Sequence, residues 1–370
     1  MNRLAHYALL TFKVDTLQIG MYAGIVHNHQ QDSVAATQYA EKNLRIGEQP
    51  GLLADFVGSH EEARADIITA LKNLEVVCAA SGAELDRTWR VYDATDATAA
   101  DRLDQAYPDP GGPPQVPDLP GMPSEIAPMA VLQTTFPSGR LTEPGKPEGF
   151  QNPLQIVNDL GNMISPGYWA QKFLEVTIQV NPVQEFTTWI AGDWEQFAKA
   201  SSAANSLSWF CSDVSGDLKV NISALATTWT GHASNAAFHY FNSLGEVIST
   251  HADGLACLRD KYNEAAKGVW EFSEAMNDVI QGIFDNIFWA TVEAIAGGVL
   301  VETGVGPAVL WSLAALECKN IVDGWKLATT MLMNIQNTVR ALHGGVLSII
   351  GNNGAFKAHP LPAGYDHPGA

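Results

Sequence analysis

Two long stripes of apolar residues joined by Trp229-Thr230-Gly231 leave this chain few ways to fold. The upstream run, about 183–228, carries Phe186, Trp189, Ile190, Trp194, Phe197, Leu207, Trp209, Phe210, Val214, Leu218, Val220, Ile222 and Leu225. The downstream run, about 233–288, carries Tyr240, Phe241, Leu244, Val247, Ile248, Leu255, Leu258, Tyr262, Val269, Phe272, Met276, Val279, Ile280, Ile283 and Phe284, with a gap at Thr250–Gly254. Spacings of three and four line one face of a 3.6-residue helix. Two amphipathic helices joined by a few residues must fold back on each other to bury their stripes. Gly231 suits the turn because glycine enters positive φ without steric cost. Trp229 can cover the open end of the hairpin. Taken alone, the tripeptide also fits a helix-ending Trp and a C-cap glycine; the flanking stripes make it a hairpin turn.

A second hairpin is written into residues 10–105. Asp15 or Thr16 can cap a helix that carries Leu17, Met21, Ile25 and Val34 and runs to about Leu44. Gly47-Glu48-Gln49-Pro50-Gly51 is a turn, and Ser59 with Glu62 reads as a capping box. Ile67, Leu71, Leu74, Cys78, Leu85, Trp89 and Tyr92 then keep helical spacing, with Ser81-Gly82 as a weak point. The helix closes with Tyr92-Asp93-Ala94-Thr95-Asp96, where Tyr92 and Asp96 share one face at the exposed helix end. By itself that pair describes a surface tyrosine beside a solvated carboxylate, at a helix end where truncation costs little stability.

Residues 106–150 read as an extended linker separating the hairpins: eight prolines fall between Pro108 and Pro128. Two short apolar pieces, 153–163 and 168–180, precede a helix opened by Asn181-Pro182. The most apolar region is 287–350. Glu293 and Glu302 interrupt it, and Gly297-Gly298 and Gly304-Val305-Gly306-Pro307 break it into arms, each shorter than the ~20 apolar residues of a membrane span. It is expected to form a buried hairpin ending in a helix over about 320–350; membrane contact after a rearrangement is the alternative. The tail beyond Asn353 is expected to be disordered. The fold class is therefore all-α, divided into a hairpin (1–105), a linker (106–150), a larger helical domain with an apolar C-terminal hairpin (151–352) and a tail (353–370). Residues 10–105 are expected to dock on 183–288 as a four-helix bundle, with Trp229 close to Tyr92 and Asp96. The competing arrangement leaves the N-terminal hairpin free or paired with another chain, and uses 287–350 to cover the apolar face instead.

A net charge of −19 argues against nucleic-acid binding through phosphates and against charge-driven adhesion to anionic lipid. Cys78, Cys211, Cys257 and Cys318 are far apart and read as free, buried thiols. The N-terminal run broken by His6 lacks a cleavage site and does not read as a Sec signal. His27 and His29 point to different faces of one helix, and His232 and His239 have no third ligand in view. No nucleophile elbow, P-loop, zinc-protease or dinucleotide motif occurs. No catalytic residue, metal site or cofactor is expected, and the chain reads as non-enzymatic.

Residues 12–104 resemble EspC-type substrates of actinobacterial type VII (Esx) secretion, through Phe12-Lys13-Val14-Asp15, Gly51-Leu52-Leu53, Gly58-Ser59-His60, Ala83-Glu84-Leu85 and the closing Tyr92…Asp96. Residues 164–245 resemble the Trp-x-Gly family of the same systems, through Ser165-Pro166-Gly167-Tyr168-Trp169, Ala191-Gly192-Asp193-Trp194-Glu195 and Trp229-Thr230-Gly231. The resemblance implies an export signal at Tyr92 and Asp96 and a recognition turn at Trp229 and Gly231. It also implies a chain resembling the fused PE/PPE-like substrates of the EspB type, from which the long apolar C-terminal region departs. The partners implied are the secretion machinery (its ATPase and chaperone) and an Esx-type hairpin or a further copy of the chain. The implied location is outside the cell or on its surface, after a cytoplasmic stage. A membrane-active, toxin-like effector using 287–350 is the other functional class open to the sequence.

Overall fold

The computed structural model describes residues 14–95, 97–105, 110, 132–145, 182–190, 194–299, 307–351 and 354–367. All regular elements among them are helical: α1 (Thr16–Asn43), α2 (Ala54–Ala94), α3 (Ala97–Gln105), α4 (Pro182–Ile190), α5 (Trp194–Leu225), α6 (His232–Val299) and α7 (Pro307–Ile350). Short 3-10 turns occupy Gly51–Leu53 and Pro137–Arg140.

Both hairpins form. Asp15 caps α1 by accepting from the backbone N–H groups of Leu17 and Gln18. The capping box does not: α2 already starts at Ala54, and the Ser59 hydroxyl donates to the Phe56 carbonyl from inside the helix. The apolar run 52–57 is helical because it has a core to reach; Leu52 and Phe56 are buried. The weak point at Ser81-Gly82 does not break α2 either. The His27 ring lies 2.7 Å from where a Cβ on residue 82 would sit, so Gly82 admits α1.

The two hairpins share one buried core. Tyr22 of α1 meets Phe241 of α6 edge-on at 5.0 Å and donates to the Leu218 carbonyl of α5. Phe56 of α2 packs on Phe197 and Tyr262 at 5.3 and 5.9 Å. The Ser81 and Tyr240 hydroxyls lie 3.1 Å apart. Docking of residues 10–105 on the 183–288 hairpin thus occurs, but not as a closed set of four helices. α1 lies along α5, whereas α2 reaches α6 only through side chains such as Phe56, His60 and Ser81, and α7 and the C-terminal segment pack against both. The N-terminal hairpin is therefore neither free nor left to another chain, and α7 adds to its cover rather than replacing the docking.

Three expectations need correction. α6 runs unbroken for 68 residues, roughly 100 Å, through Gly297-Gly298, and α7, which starts at Pro307 as a proline in the first helical turn permits, continues through Asn320 with no separate final helix there. At Gly324 the helices approach so closely that a Cβ would meet Ile283 Cγ1 at 2.9 Å. Beyond the N-terminal hairpin, α4 joins this pair, with Phe186 on Phe272 at 6.4 Å and Trp189 stacked on Trp325 at 5.6 Å. Further out, Phe288, Trp289 and Val292 of α6 and Leu316 of α7 are exposed. Second, only Cys78 and Cys211 are buried; Cys257 is exposed.

Third, the linker does more than separate. Residues 132–145 lie across α1 and α5, held by a polar ladder on α5 at Asp213, Asp217 and Asn221, one residue per turn. Gln133 and Asn221 exchange hydrogen bonds of 2.8 and 2.7 Å, and the Thr135 N–H donates to Asp217 at 3.0 Å. Arg140 pairs with Asp213 at 2.7 Å while covering Trp209, and the Tyr39 hydroxyl donates to the Thr142 carbonyl. The two short apolar pieces at 153–163 and 168–180 and most of the proline-rich run lie outside the described residues.

His60 ties three helices together. Its Nε2–H donates to the Leu44 carbonyl at the end of α1 (2.7 Å), and its Nδ1 accepts from the Tyr262 hydroxyl of α6 (2.6 Å). Burial pushes its pKa down from 6.5 to about 4. Because the folded-state value is depressed, this contribution is complete above pH 6.5 and is lost as pH falls towards 4. The gap corresponds to about 3 kcal/mol. Urea denaturation should therefore show stability falling between pH 6.5 and 4, and His60→Gln should remove part of that slope. An identical slope in the variant would refute the assignment.

Candidate functional site

Tyr92, Trp229 and Gly231 converge at one end of the bundle. α5 ends at Leu225, whose carbonyl accepts from the Trp229 N–H at 2.8 Å, and α6 begins at His232. The Asp15 N–H donates to the Thr228 carbonyl at 3.0 Å, tying the start of α1 to the turn. The Ser234 hydroxyl donates to the Trp229 carbonyl from the first turn of α6. Trp229 does cover the end of the hairpin, but from inside: it is fully buried, and its indole N–H has no hydrogen-bond partner among the described residues.

The reason for glycine at 231 comes from another helix. Gly231 has φ +120°, where a side chain is strained, and a Cβ there would sit 2.3 Å from Oδ2 of Asp104. Asp104, on α3, is buried, and its two oxygens accept from the His232 and Ala233 N–H groups at 2.8 and 2.9 Å. It is an N-terminal cap for α6 supplied by a helix more than 120 residues earlier in the chain. The carboxylate occupies the space that the missing Cβ leaves open.

Tyr92 lies against this turn. Its ring meets Trp229 edge-on with centroids 6.2 Å apart. Tyr92 is only 6% exposed, which corrects the expectation of a tyrosine at an exposed helix end. The cause is the C-terminal segment: His367 stacks on Trp229 at 6.4 Å and approaches Tyr92 edge-on at 5.8 Å. Asp96 lies outside the described residues, so its pairing with Tyr92 stands on spacing alone.

The structure thus brings Tyr92, Trp229 and Gly231 together and adds Asp104 and His367. No local signal marks Asp104, which sits among other acids just past the tyrosine, and His367 falls in a tail expected to be disordered. That expectation is wrong for 354–367, where Phe356, Tyr365 and His367 are buried.

His27 faces Asp86 of α2 at 3.1 Å, and His29 faces Asp217 of α5 and Asp32 at 3.7 and 3.8 Å, on different faces of α1 as their spacing requires. Among the described residues no cluster of three or more His, Cys, Asp or Glu side chains could hold a metal. Comparison with family models, curated proteins and solved structures returned no match.

Gly231→Ala should lower stability by about 2–4 kcal/mol, from left-handed strain and collision with the Asp104 carboxylate. Asp104→Ala should cost about 1–2 kcal/mol through the lost cap. In the Asp104→Ala background Gly231→Ala should cost less than in wild type, a non-additivity readable in a double-mutant cycle of urea midpoints. Strict additivity would separate the two residues.

Proposed function

We propose that this chain is a non-enzymatic substrate of a type VII (Esx) secretion system that carries both halves of the recognition pair in one polypeptide. The observation that supports the reading most is the ring contact between Tyr92 and Trp229. Two motifs that resemble those of separate partner proteins meet at one end of one bundle, with the tyrosine at the end of α2 and the acid four residues on. The Asp15–Thr228 bond and the Asp104 cap hold the N-terminal hairpin to the turn, so a secretion ATPase or chaperone would meet one composite surface. The hairpin face that would accept a separate Esx partner is occupied within the chain.

Export should be followed in an actinobacterial host with an active type VII system. Asp96→Ala should abolish appearance in the medium while the cytoplasmic protein stays folded. Tyr92→Ala is the poorer probe because Tyr92 is part of the core; Tyr92→Phe retains the packing and removes the hydroxyl. Unchanged export of Asp96→Ala sinks the reading.

A second reading rests on the far end of α6. Phe288 and Trp289 are 60% and 54% exposed there, with Val292 and Leu316 nearby, an apolar cluster suited to contact with a bilayer surface. No helix among the described residues is long and apolar enough to cross a membrane. On this reading, purified protein should release dye from zwitterionic liposomes, and Trp289→Ser should reduce the release. Intact liposomes at micromolar protein would exclude it.

A further inference from the structure

The C-terminal segment 354–367 lies in the groove between α2 and α6 and ends on the Tyr92–Trp229 pair. It enters where the apolar stripe of α6 has its gap. His251 fills that gap, its Nε2 donating to the His359 carbonyl at 2.8 Å, and Phe356 packs on the His251 ring at 5.2 Å. Lys357 reaches Glu62 and Asp66 of α2 at 3.0 and 3.1 Å. Further along, the Tyr240 hydroxyl donates to the Ala363 carbonyl at 2.7 Å. The Tyr365 and His367 N–H groups donate to Ser81 Oγ and Glu84 Oε1 at 2.9 and 3.2 Å. The His367 ring then closes over Trp229.

We propose that residues 354–367 are a detachable latch over the Tyr92–Trp229 site, closed at neutral pH and opened by acid, so that a partner reads the tyrosine–tryptophan pair only after the segment has swung out. This rests on the pair being a recognition site. The attachment is of the kind that opens locally. Residues 359–367 contain no helix and bury two large rings, Tyr365 and His367, among contacts to Tyr240, Ser81, Glu84 and Tyr92, whereas the helices beneath are continuous core.

The acid response follows from what surrounds the two histidines. Around His367 are Tyr92 and Glu84 of α2, with Arg87 bridged to Glu84, Asp104 of α3 and Asp366 of the segment itself. Burial pushes the His367 pKa down to about 4, against the opposing pull of Asp104 and Asp366. Burial likewise lowers His251, which faces His359, with Lys357 and Asp66 close by. Each takes up a proton more readily when the latch is open, so opening is favoured progressively as pH falls from 6.5 towards 4. For His367 alone, values of 6.5 open and about 4 closed shift the opening equilibrium about 30-fold between pH 7.5 and pH 5.

Hydrogen exchange of the full chain, corrected for the intrinsic pH dependence of exchange, tests this. The Tyr365 and His367 amides should be protected at pH 7.5 and lose at least tenfold protection at pH 5, while the core amides of α5 and α6 stay protected. His367→Arg should open the segment already at pH 7.5. His367→Phe keeps a ring on Trp229 and takes no proton, and should lose much less protection at pH 5 than wild type, the remaining response being that of His251. Equal protection at both pH values overturns the proposal, as does loss only together with the core, or an unaltered pH response in His367→Phe. In the secretion host His367→Arg should be exported faster than wild type; equal export with an open latch overturns the masking role. If Asp96→Ala is exported normally while the latch still opens with acid, the secretion reading falls and the latch stands.

Discussion

A single carboxylate fixes how the two halves of this protein meet. Asp104 caps α6 from α3 and occupies the volume where residue 231 would carry a Cβ. Around it, Tyr92 at the end of α2 lies against Trp229, and the Asp15 N–H at the start of α1 donates to the Thr228 carbonyl. An indole buried with no hydrogen-bond partner among the described residues is an expense that burial of its large apolar surface offsets.

Much of this was legible in the sequence. Stripes of three-and-four spacing marked α1, α2, α5 and α6, and Asp15 marked the first cap, because helix periodicity and capping are local properties. Partners distant in sequence were not legible. Ser59 looked like a cap because Ser-x-x-Glu is a local pattern, yet the core beneath Phe56 pulls the helix start upstream. The gap at Thr250–Gly254 looked like a defect in a stripe and is the seat of another segment: a Cβ on residue 254 would lie 2.5 Å from that of Ala355.

Polar residues inside helices carry a signal that periodicity does not. Asp213, Asp217 and Asn221 repeat every four residues on α5, and Asn221 is almost wholly buried. A ladder of that kind inside an apolar helix implies backbone groups to be satisfied, and the strap at 132–145 supplies them. Composition marked that stretch as separating; the α5 side chains show which part of it adheres. The same holds for the C-terminal segment, whose Gly-, Ala- and Pro-rich sequence conceals Tyr365 and His367.

The shared core of the two hairpins has a consequence for what happens after dilution. A complex of two separate chains comes apart when its concentration falls below its dissociation constant, and a protein leaving a crowded cell for open medium undergoes that dilution. Here the two hairpins are halves of one molecule, stitched by the strap that lies across α1 and α5. Their association is first order and indifferent to volume. Whatever the joined end presents, it presents at one concentration or a millionfold less.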